Sequence, residues 1–203
     1  MSTAAKSSAR RRTQPASTAS RILDVAERLV QERGFNGFSY ADVASELGIT
    51  KASLHYHYAG KAELGEALIR RYSERFVSAL EAIEADQSDA SDKLAAYAAL
   101  YADVLRGRRM CLCGMLAAEY QTLPRPIRDA VITFFDDNES WLERILEQGR
   151  DSGSLSFAGS SRETARMIIS ALEGAMLVAR PYGDLDRFRT ASDRLLGTLA
   201  ATS

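Results

Sequence analysis

A chain of 203 residues, 46% hydrophobic and 26% charged, has an ordinary globular balance and enough length for a small domain joined to a larger one. Its two cysteines do not make a disulfide framework, and no signal-peptide core or apolar run of about 18 residues is present, so a chain that crosses no membrane and works in a reducing cytoplasm is expected. The formal net charge of −1 announces no global attraction to nucleic acid, yet the charge is uneven, with 10 Lys/Arg against 7 Asp/Glu through Arg70 and 16 against 20 beyond it. A basic front and an acidic rear fit a DNA-facing segment carried on a body that stays off the phosphates.

Residues 1–17 are rich in Ser, Ala and Thr and carry Lys6, Arg10, Arg11 and Arg12. Such composition predicts a disordered basic arm, which beside a DNA-reading unit can reach phosphates or a minor groove. Thr18 or Ser20 can cap the first helix, whose apolar stripe is Ile22, Leu23, Ala26, Leu29 and Val30. Gly34 ends it, Asn36-Gly37 marks a turn, and Phe35 and Phe38 are core candidates. Ser39 and Asp42 then stand three apart, as cap and first-turn acid of a second helix striped by Val43, Ala44 and Leu47. Gly48 suits a left-handed position after that helix, and Thr50 caps a third, Lys51 to Tyr58. Helix, glycine turn, helix is the sequence form of a helix-turn-helix, whose second helix lies in the major groove. Leu54 and Tyr58 can face inward. Lys51, Ala52, Ser53, His55, Tyr56 and His57 crowd the remaining surface with donors and rings, which is more than folding alone requires.

Lys61 opens a long helix with Leu64, Leu68, Tyr72, Phe76, Leu80 and Ile83 on one side, about 39 Å from Lys61 to Asp86 at about 1.5 Å per residue. It reads as a lever joining two units, and its N-terminus with Lys61 can meet a phosphate. After a polar break at 88–92, helices are expected over Leu94–Leu105, Met110–Tyr120 and Ile127–Arg150. Ser160 and Glu163 form a capping-box pattern before a helix that is apolar nearly all round and should be covered on most sides. Pro181-Tyr182-Gly183 ends it, and Asp184 can cap the last helix. No useful strand alternation appears. The fold class is all-α with about nine helices: a three-helix DNA-binding unit over 18–62 and a second, larger helical unit over 63–203.

Residues 22–72, from Ile-Leu-Asp-Val-Ala-Glu-Arg-Leu through Thr-Lys-Ala-Ser-Leu-His-Tyr-His-Tyr-Ala-Gly-Lys-Ala-Glu-Leu, resemble the N-terminal domain of the TetR family of transcriptional regulators. Cys111-Leu-Cys-Gly-Met-Leu-Ala-Ala-Glu119 resembles the start of the sixth helix in the LmrA/YxaF-like branch. The resemblance implies a homodimer on a palindromic double-stranded DNA operator, repression of a nearby gene, dimerisation through the last two helices, and a small-molecule effector pocket among the middle helices. By position it implies that Lys51, Ala52, Ser53 and His55 face bases or the groove, that Tyr56, His57 and Lys61 meet phosphates, and that Thr18, Ser39 and Thr50 sit at helix starts on the backbone. Ala52 stands where Gly is common, and His55 where Tyr is common.

Candidate effector-lining residues are Tyr97, Tyr101, Met115, Tyr120, Phe134, Trp141, Met167, Met176 and Arg180, although aromatic and Met side chains at helical spacing mostly pack. As a set they allow a largely apolar pocket, and Arg180 could pair with an anion or simply sit at a helix C-terminus. Cys111 and Cys113 follow Arg108 and Arg109 at a helix start, a setting that lowers a thiol pKa and would suit a redox-sensing regulator; buried, inert thiols are the preferred reading. No four-ligand metal set, cofactor motif, nucleophile elbow or phosphate loop is evident, and Glu119 and Glu173 read as structural acids, so a non-enzyme is expected. A sequence-independent architectural DNA binder remains the reading from a different class.

Overall fold

The computed structural model describes residues 17–201, and the basic arm with Lys6, Arg10, Arg11 and Arg12 lies outside them. The described residues form nine α-helices: α1 Thr18–Arg33, α2 Tyr40–Leu47, α3 Lys51–His57, α4 Lys61–Asp86, α5 Ala90–Arg106, α6 Leu112–Ala118, α7 Arg125–Ser152, α8 Ser161–Ala179 and α9 Leu185–Gly197. Short 3₁₀ turns follow α6 at Tyr120–Thr122 and α8 at Arg180–Tyr182. One isolated antiparallel bridge, Leu155 to Ala200, ties the end of the chain to the α7–α8 loop. No helix among the described residues is long and apolar enough to cross a membrane.

The first three helices close around Ile22, Ala26, Leu29, Val30, Val43 and Leu54, all buried, with Phe35 and Phe38 edge-to-face at 6.1 Å. Capping differs from expectation at the first helix. Ser17, rather than Thr18 or Ser20, is the N-cap, its hydroxyl accepting from the Ser20 N–H at 3.1 Å. A cap needs extended backbone just outside the helix, and Thr18 is already the first helical residue. Ser39 and Asp42 do form a reciprocal capping box, and Thr50 caps α3 through the Ser53 N–H.

Gly48 is left-handed, φ 65°, and a Cβ there would meet nothing within 4 Å. Its requirement is therefore purely conformational. Gly48→Val is expected to lower folding stability by about 1–2 kcal/mol, read as a shifted denaturation midpoint, because a β-branched residue resists that region.

α4 has the 26 residues the sequence predicts and packs against α1, α5, α6 and α7. Its middle is bracketed to α1 by charge. Arg71 donates to Asp24 at 2.7 Å and to Glu27 at 2.9 Å, and Arg75 donates to the same buried Glu27. A buried carboxylate held by two guanidinia fixes geometry more than it adds stability. α5 begins at Ala90 under an Asp89 cap, four residues before the expected start, because Ser88–Asp92 supplies a capping turn rather than a loop. α6 is shorter than expected, since Ala118 is followed by the 3₁₀ turn.

α7 and α8 make the largest interface of the larger unit, and α9 covers α8 and α5. Within the chain α8 is not covered on most sides. Ile168, Leu172 and Met176 are buried, whereas Met167, Leu177 and Val178 are 45%, 62% and 62% exposed. These three lie on one outer stripe, apolar and unpartnered within the protomer.

Candidate DNA interface and effector site

The site residues of α3 divide by helical geometry. Lys51, Ala52, His55 and Tyr56 are exposed, at i, i+1, i+4 and i+5, and so share one face. Leu54 and Tyr58 are buried beneath it, and Ser53 and His57 flank it, half-buried. Tyr56 is 86% exposed, with its ring 5.3 Å from that of His57. An aromatic so placed contributes nothing to the core and is available to a partner. His55 Nδ1 lies 3.1 Å from the Ala59 carbonyl oxygen. A carbonyl only accepts, so Nδ1 carries the proton and Nε2 is left for another group. Ser39, Lys51, His55 and Lys61 border one shallow depression of about 440 Å³ between the start of α2 and α3.

Lys61 departs from the expected geometry. Its ammonium donates to the Phe38 carbonyl and lies over the rings of Phe35 and Phe38, 4.9 and 4.3 Å from their centroids. Partial burial pulls its pKa down, opposed by Glu119 and Asp42. Here Lys61 brackets α4 to the turn before α2 with one of its three N–H donors. Tyr40 performs a similar job. Its hydroxyl donates to the Tyr58 carbonyl at 3.0 Å, and its ring lies 4.8 Å from that of His55. Burial, then Glu63 and Tyr58, push its pKa up to about 12, so it stays a donor. Its signal was an aromatic one residue after a cap, on a helix too short to have spare anchors. Thr18 opens α1, half-buried, behind Ser17.

The two units meet at the C-terminal end of α1. The Glu119 carboxylate accepts from the Phe35 N–H at 2.6 Å and the Asn36 N–H at 3.2 Å, and Asn36 donates to the Thr122 hydroxyl at 2.7 Å. The Met110 N–H donates to the Gln31 carbonyl at 3.2 Å, and the Arg180 guanidinium to the Glu32 carbonyl. α6 and its flanks therefore close the turn between α1 and α2. Glu119 is structural, as expected, but in a joint between units rather than within one.

The effector-lining candidates do not converge on one cavity. Phe134 and Trp141 line a cleft of about 320 Å³ between α4 and α7, with Phe76 and Leu80 opposite. The cleft continues along the same helices into a wider depression of about 680 Å³ that shares Ser73, Val77, Glu81 and Asp137. Tyr97 and Tyr101 are fully buried behind it. Tyr97 stacks on Trp141 at 5.5 Å, and its hydroxyl donates to Asn138 Oδ1 at 3.1 Å. Asn138 is a buried mid-helix amide, and its place in the apolar stripe of α7 is its signal in the sequence. Trp141 Nε1 donates to Glu84 at 2.7 Å, and Arg144 forks onto the same carboxylate at 2.6 and 2.9 Å. Met176 is core and Met167 is on the outer face of α8, so neither lines the cleft. Tyr120 stands off in the 3₁₀ turn beside Arg128. Met115 and Arg180 touch each other, Nη1 to Sδ 3.4 Å, away from the cleft. Aromatic and Met periodicity locates a core but cannot say which core residue borders a void.

Cys111 and Cys113 are buried, and the redox expectation loses its chemical basis there. Burial comes first, with Glu173 beside Cys111 and Cys111 itself beside Cys113, and both thiols are pushed well above their usual pKa. Cys111 does cap α6, Sγ accepting from the Gly114 N–H at 3.5 Å, but that favourable contact is smaller than the burial. No cluster of His, Cys, Asp and Glu fit to hold a metal exists among the described residues.

Glu173 has an enclosed Oε1 with no hydrogen-bond partner, and burial pushes its pKa up to about 6 despite the Cys111 thiol. A carboxyl raised in the folded state costs stability once pH passes its unfolded value, and the full cost is present above the folded one. Raising pH from below about 4.5 to above about 6 should therefore lose up to about 2 kcal/mol through this group. Glu173→Gln is expected to flatten that part of the stability-pH curve, measured by urea midpoints at pH 4.5 and pH 8.

A helix-turn-helix with an exposed polar and aromatic reading face, joined by a long helix to a second helical unit, defines a two-domain DNA-binding regulator. Residues 22–68 match the family profile described as "Bacterial regulatory proteins, tetR family", and residues 90–195 match "Tetracyclin repressor-like, C-terminal domain". The chain belongs to the TetR family, and it is a DNA-binding transcriptional regulator, not an enzyme. A solved TetR-family regulator from Agrobacterium tumefaciens is 31% identical with a TM-score of 0.87, covering 90% of this chain and 97% of that one. Another from Legionella pneumophila is 33% identical with a TM-score of 0.81, covering 92% and 100%. The HTH-type transcriptional repressor NemR of Escherichia coli K12 is 25% identical over 170 residues, covering 80% of this chain and 84% of NemR.

Proposed function

We propose that this protein is a cytoplasmic homodimeric repressor that binds a palindromic operator through α3 and leaves it when a small, largely apolar molecule enters the α4–α7 cleft. The exposed face of α3 is the observation that carries the DNA half of this reading. Lys51, Ser53 and His55 supply donors or acceptors for base edges, while Tyr56 and His57 take phosphates. Thr18, Ser39 and Thr50, at the starts of α1, α2 and α3, bring backbone N–H groups toward the same strand. Residues 18–62 then form the reading domain and 63–203 the effector and dimer domain.

For the effector half, the aromatic cleft lies on α4 itself. A molecule wedged between Phe76 and Trp141 would displace α4 from α7, and α4 begins at the joint with α3. Such a ligand acts only by binding the displaced conformer more tightly. Selection of bound duplexes from a random-sequence library tests the reading. It should enrich a palindrome whose half-sites lie one helical turn, about 34–36 Å, or a multiple apart. Apolar aromatic probes should then release that duplex from the wild type and not from a Trp141→Ala variant. A folded protein that enriches no sequence refutes the palindromic-operator reading in favour of sequence-independent coverage.

A further inference from the structure

A second cavity, of about 530 Å³, lies away from the α4–α7 cleft, where the end of α5 meets the corner between α8 and α9. Arg106, Arg108 and Arg180 line it, against Asp184 as the sole carboxylate among its lining residues. Asp184 is already committed: it accepts from the Asp186 N–H at 3.0 Å and pairs with Arg187 at 3.5 Å. Arg106 has only Asp103 on its own exposed turn. Among the described residues Arg108 has no carboxylate partner, and Arg180 meets only a carbonyl and a thioether, the latter a weak acceptor. Three arginines thus border a void whose one lining carboxylate is already engaged elsewhere. The rest of the wall is apolar, from Leu105, Ala179, Pro181 and Leu185, with Tyr182, whose ring is covered by the Arg187 guanidinium 3.7 Å from its centroid.

The backbone fixes where Arg108 stands. Arg108 is the one non-glycine residue with positive φ, 57°, among those described. Gly107 directly before it has φ −76°, so the left-handed position that glycine tolerates freely falls on the arginine instead. The end of α5 accounts for it: the Arg109 N–H donates to the Val104 carbonyl at 3.2 Å and the Arg108 N–H to the Leu105 carbonyl at 2.8 Å, the helix-ending pattern whose C′ residue is left-handed. Arg180, for its part, reaches from the cavity to the Glu32 carbonyl in the last turn of α1.

We propose that this cavity binds an organic carboxylate with an apolar body, and that the bound anion competes with the Glu32 carbonyl for Arg180. Guanidinium matches carboxylate as a two-pronged donor, and a charged acceptor outcompetes a neutral carbonyl. Losing the Arg180 contact frees one of the ties that hold the C-terminal end of α1, the helix whose opposite end Thr18 begins. The site is separate from the α4–α7 cleft, so one protein would answer to two chemically different effectors. The coupling to DNA rests on the regulator reading above; the binding does not.

Isothermal titration with octanoate, octanamide and inorganic phosphate decides the binding. Octanoate should bind the wild type at least 10-fold more tightly than octanamide or phosphate. An Arg106→Gln/Arg108→Gln variant, altered only at exposed side chains, should lose at least 10-fold in octanoate affinity at an unchanged melting temperature. Trp141→Ala should leave octanoate binding intact. Equal binding of octanoate and octanamide, equal binding of phosphate, or undiminished binding by the double variant overturns the proposal. Saturating octanoate should also weaken binding of the selected duplex at least 5-fold in the wild type and not in the double variant. If octanoate binds as described and leaves duplex affinity unchanged, the coupling through Arg180 is overturned. If no duplex is ever selected, the palindromic-operator reading fails while the titration still decides the site.

Discussion

Replacing Lys51, Tyr56 and His57 together by alanine is expected to weaken operator binding by about 100-fold or more, with little change in folding stability. Each contact to a base edge or phosphate is worth of order 1 kcal/mol or more, and three lost contacts together exceed about 3 kcal/mol. Lys51 and Tyr56 are exposed and His57 is half-buried, so the change in folding stability should stay near or below about 1 kcal/mol. Fluorescence anisotropy on the selected duplex measures the loss. Repeating it across salt concentrations separates the contributions, because removing Lys51 lowers the number of counterions released and flattens the slope of affinity against salt. A folded triple variant that keeps wild-type affinity would move the reading face off α3 altogether.

The part of the protein most legible in sequence is the part whose chemistry is local. Ser39 with Asp42, Gly48, Thr50 and Ser160 with Glu163 satisfy or terminate helices within four residues of themselves, and each acts as its position predicts. The reading face is legible for the same reason, since Leu54 and Tyr58 at helical spacing leave Lys51, His55 and Tyr56 pointing outward. What stayed hidden depends on partners far along the chain. Lys61 resembles a phosphate contact alone until the Phe38 carbonyl, 23 residues earlier, claims one of its donors. Glu119 is an unremarkable helical acid until the Phe35 and Asn36 N–H groups, more than 80 residues away, are brought to it. Cys111 sits at a helix start, which favours a reactive thiol, yet burial beside Glu173 decides the opposite. The effector residues were the hardest to place. Tyr97 and Trp141 stack on each other, but only the tryptophan borders the cleft, and that difference is set by how α4, α5 and α7 meet.

Leu177→Glu with Val178→Glu is expected to convert the protein to a monomer and, through that alone, to reduce operator affinity by about 100-fold or more. Both side chains are 62% exposed in the protomer and, with Met167, form the outer stripe of α8, while the opposite face of that helix carries Ile168, Leu172 and Met176 in the core. On the homodimer reading proposed above, these exposed apolar side chains of α8 are where a second chain would sit. A second copy is the occupant that a two-fold operator requires, and two carboxylates per protomer brought face to face would repel in an apolar seam. Neither substitution touches α3, so each half-site contact survives unchanged. What disappears is the linkage that makes the second half-site an intramolecular event, worth roughly 100- to 10,000-fold. Sedimentation should show the wild type near twice its 22.2 kDa chain mass and the variant near that mass itself. The variant should still bind a duplex carrying one half-site as well as the wild type does, which separates lost assembly from lost folding. A variant that stays dimeric would place the interface elsewhere, on the exposed side of α9 or along α7, and would leave the α8 stripe without a partner.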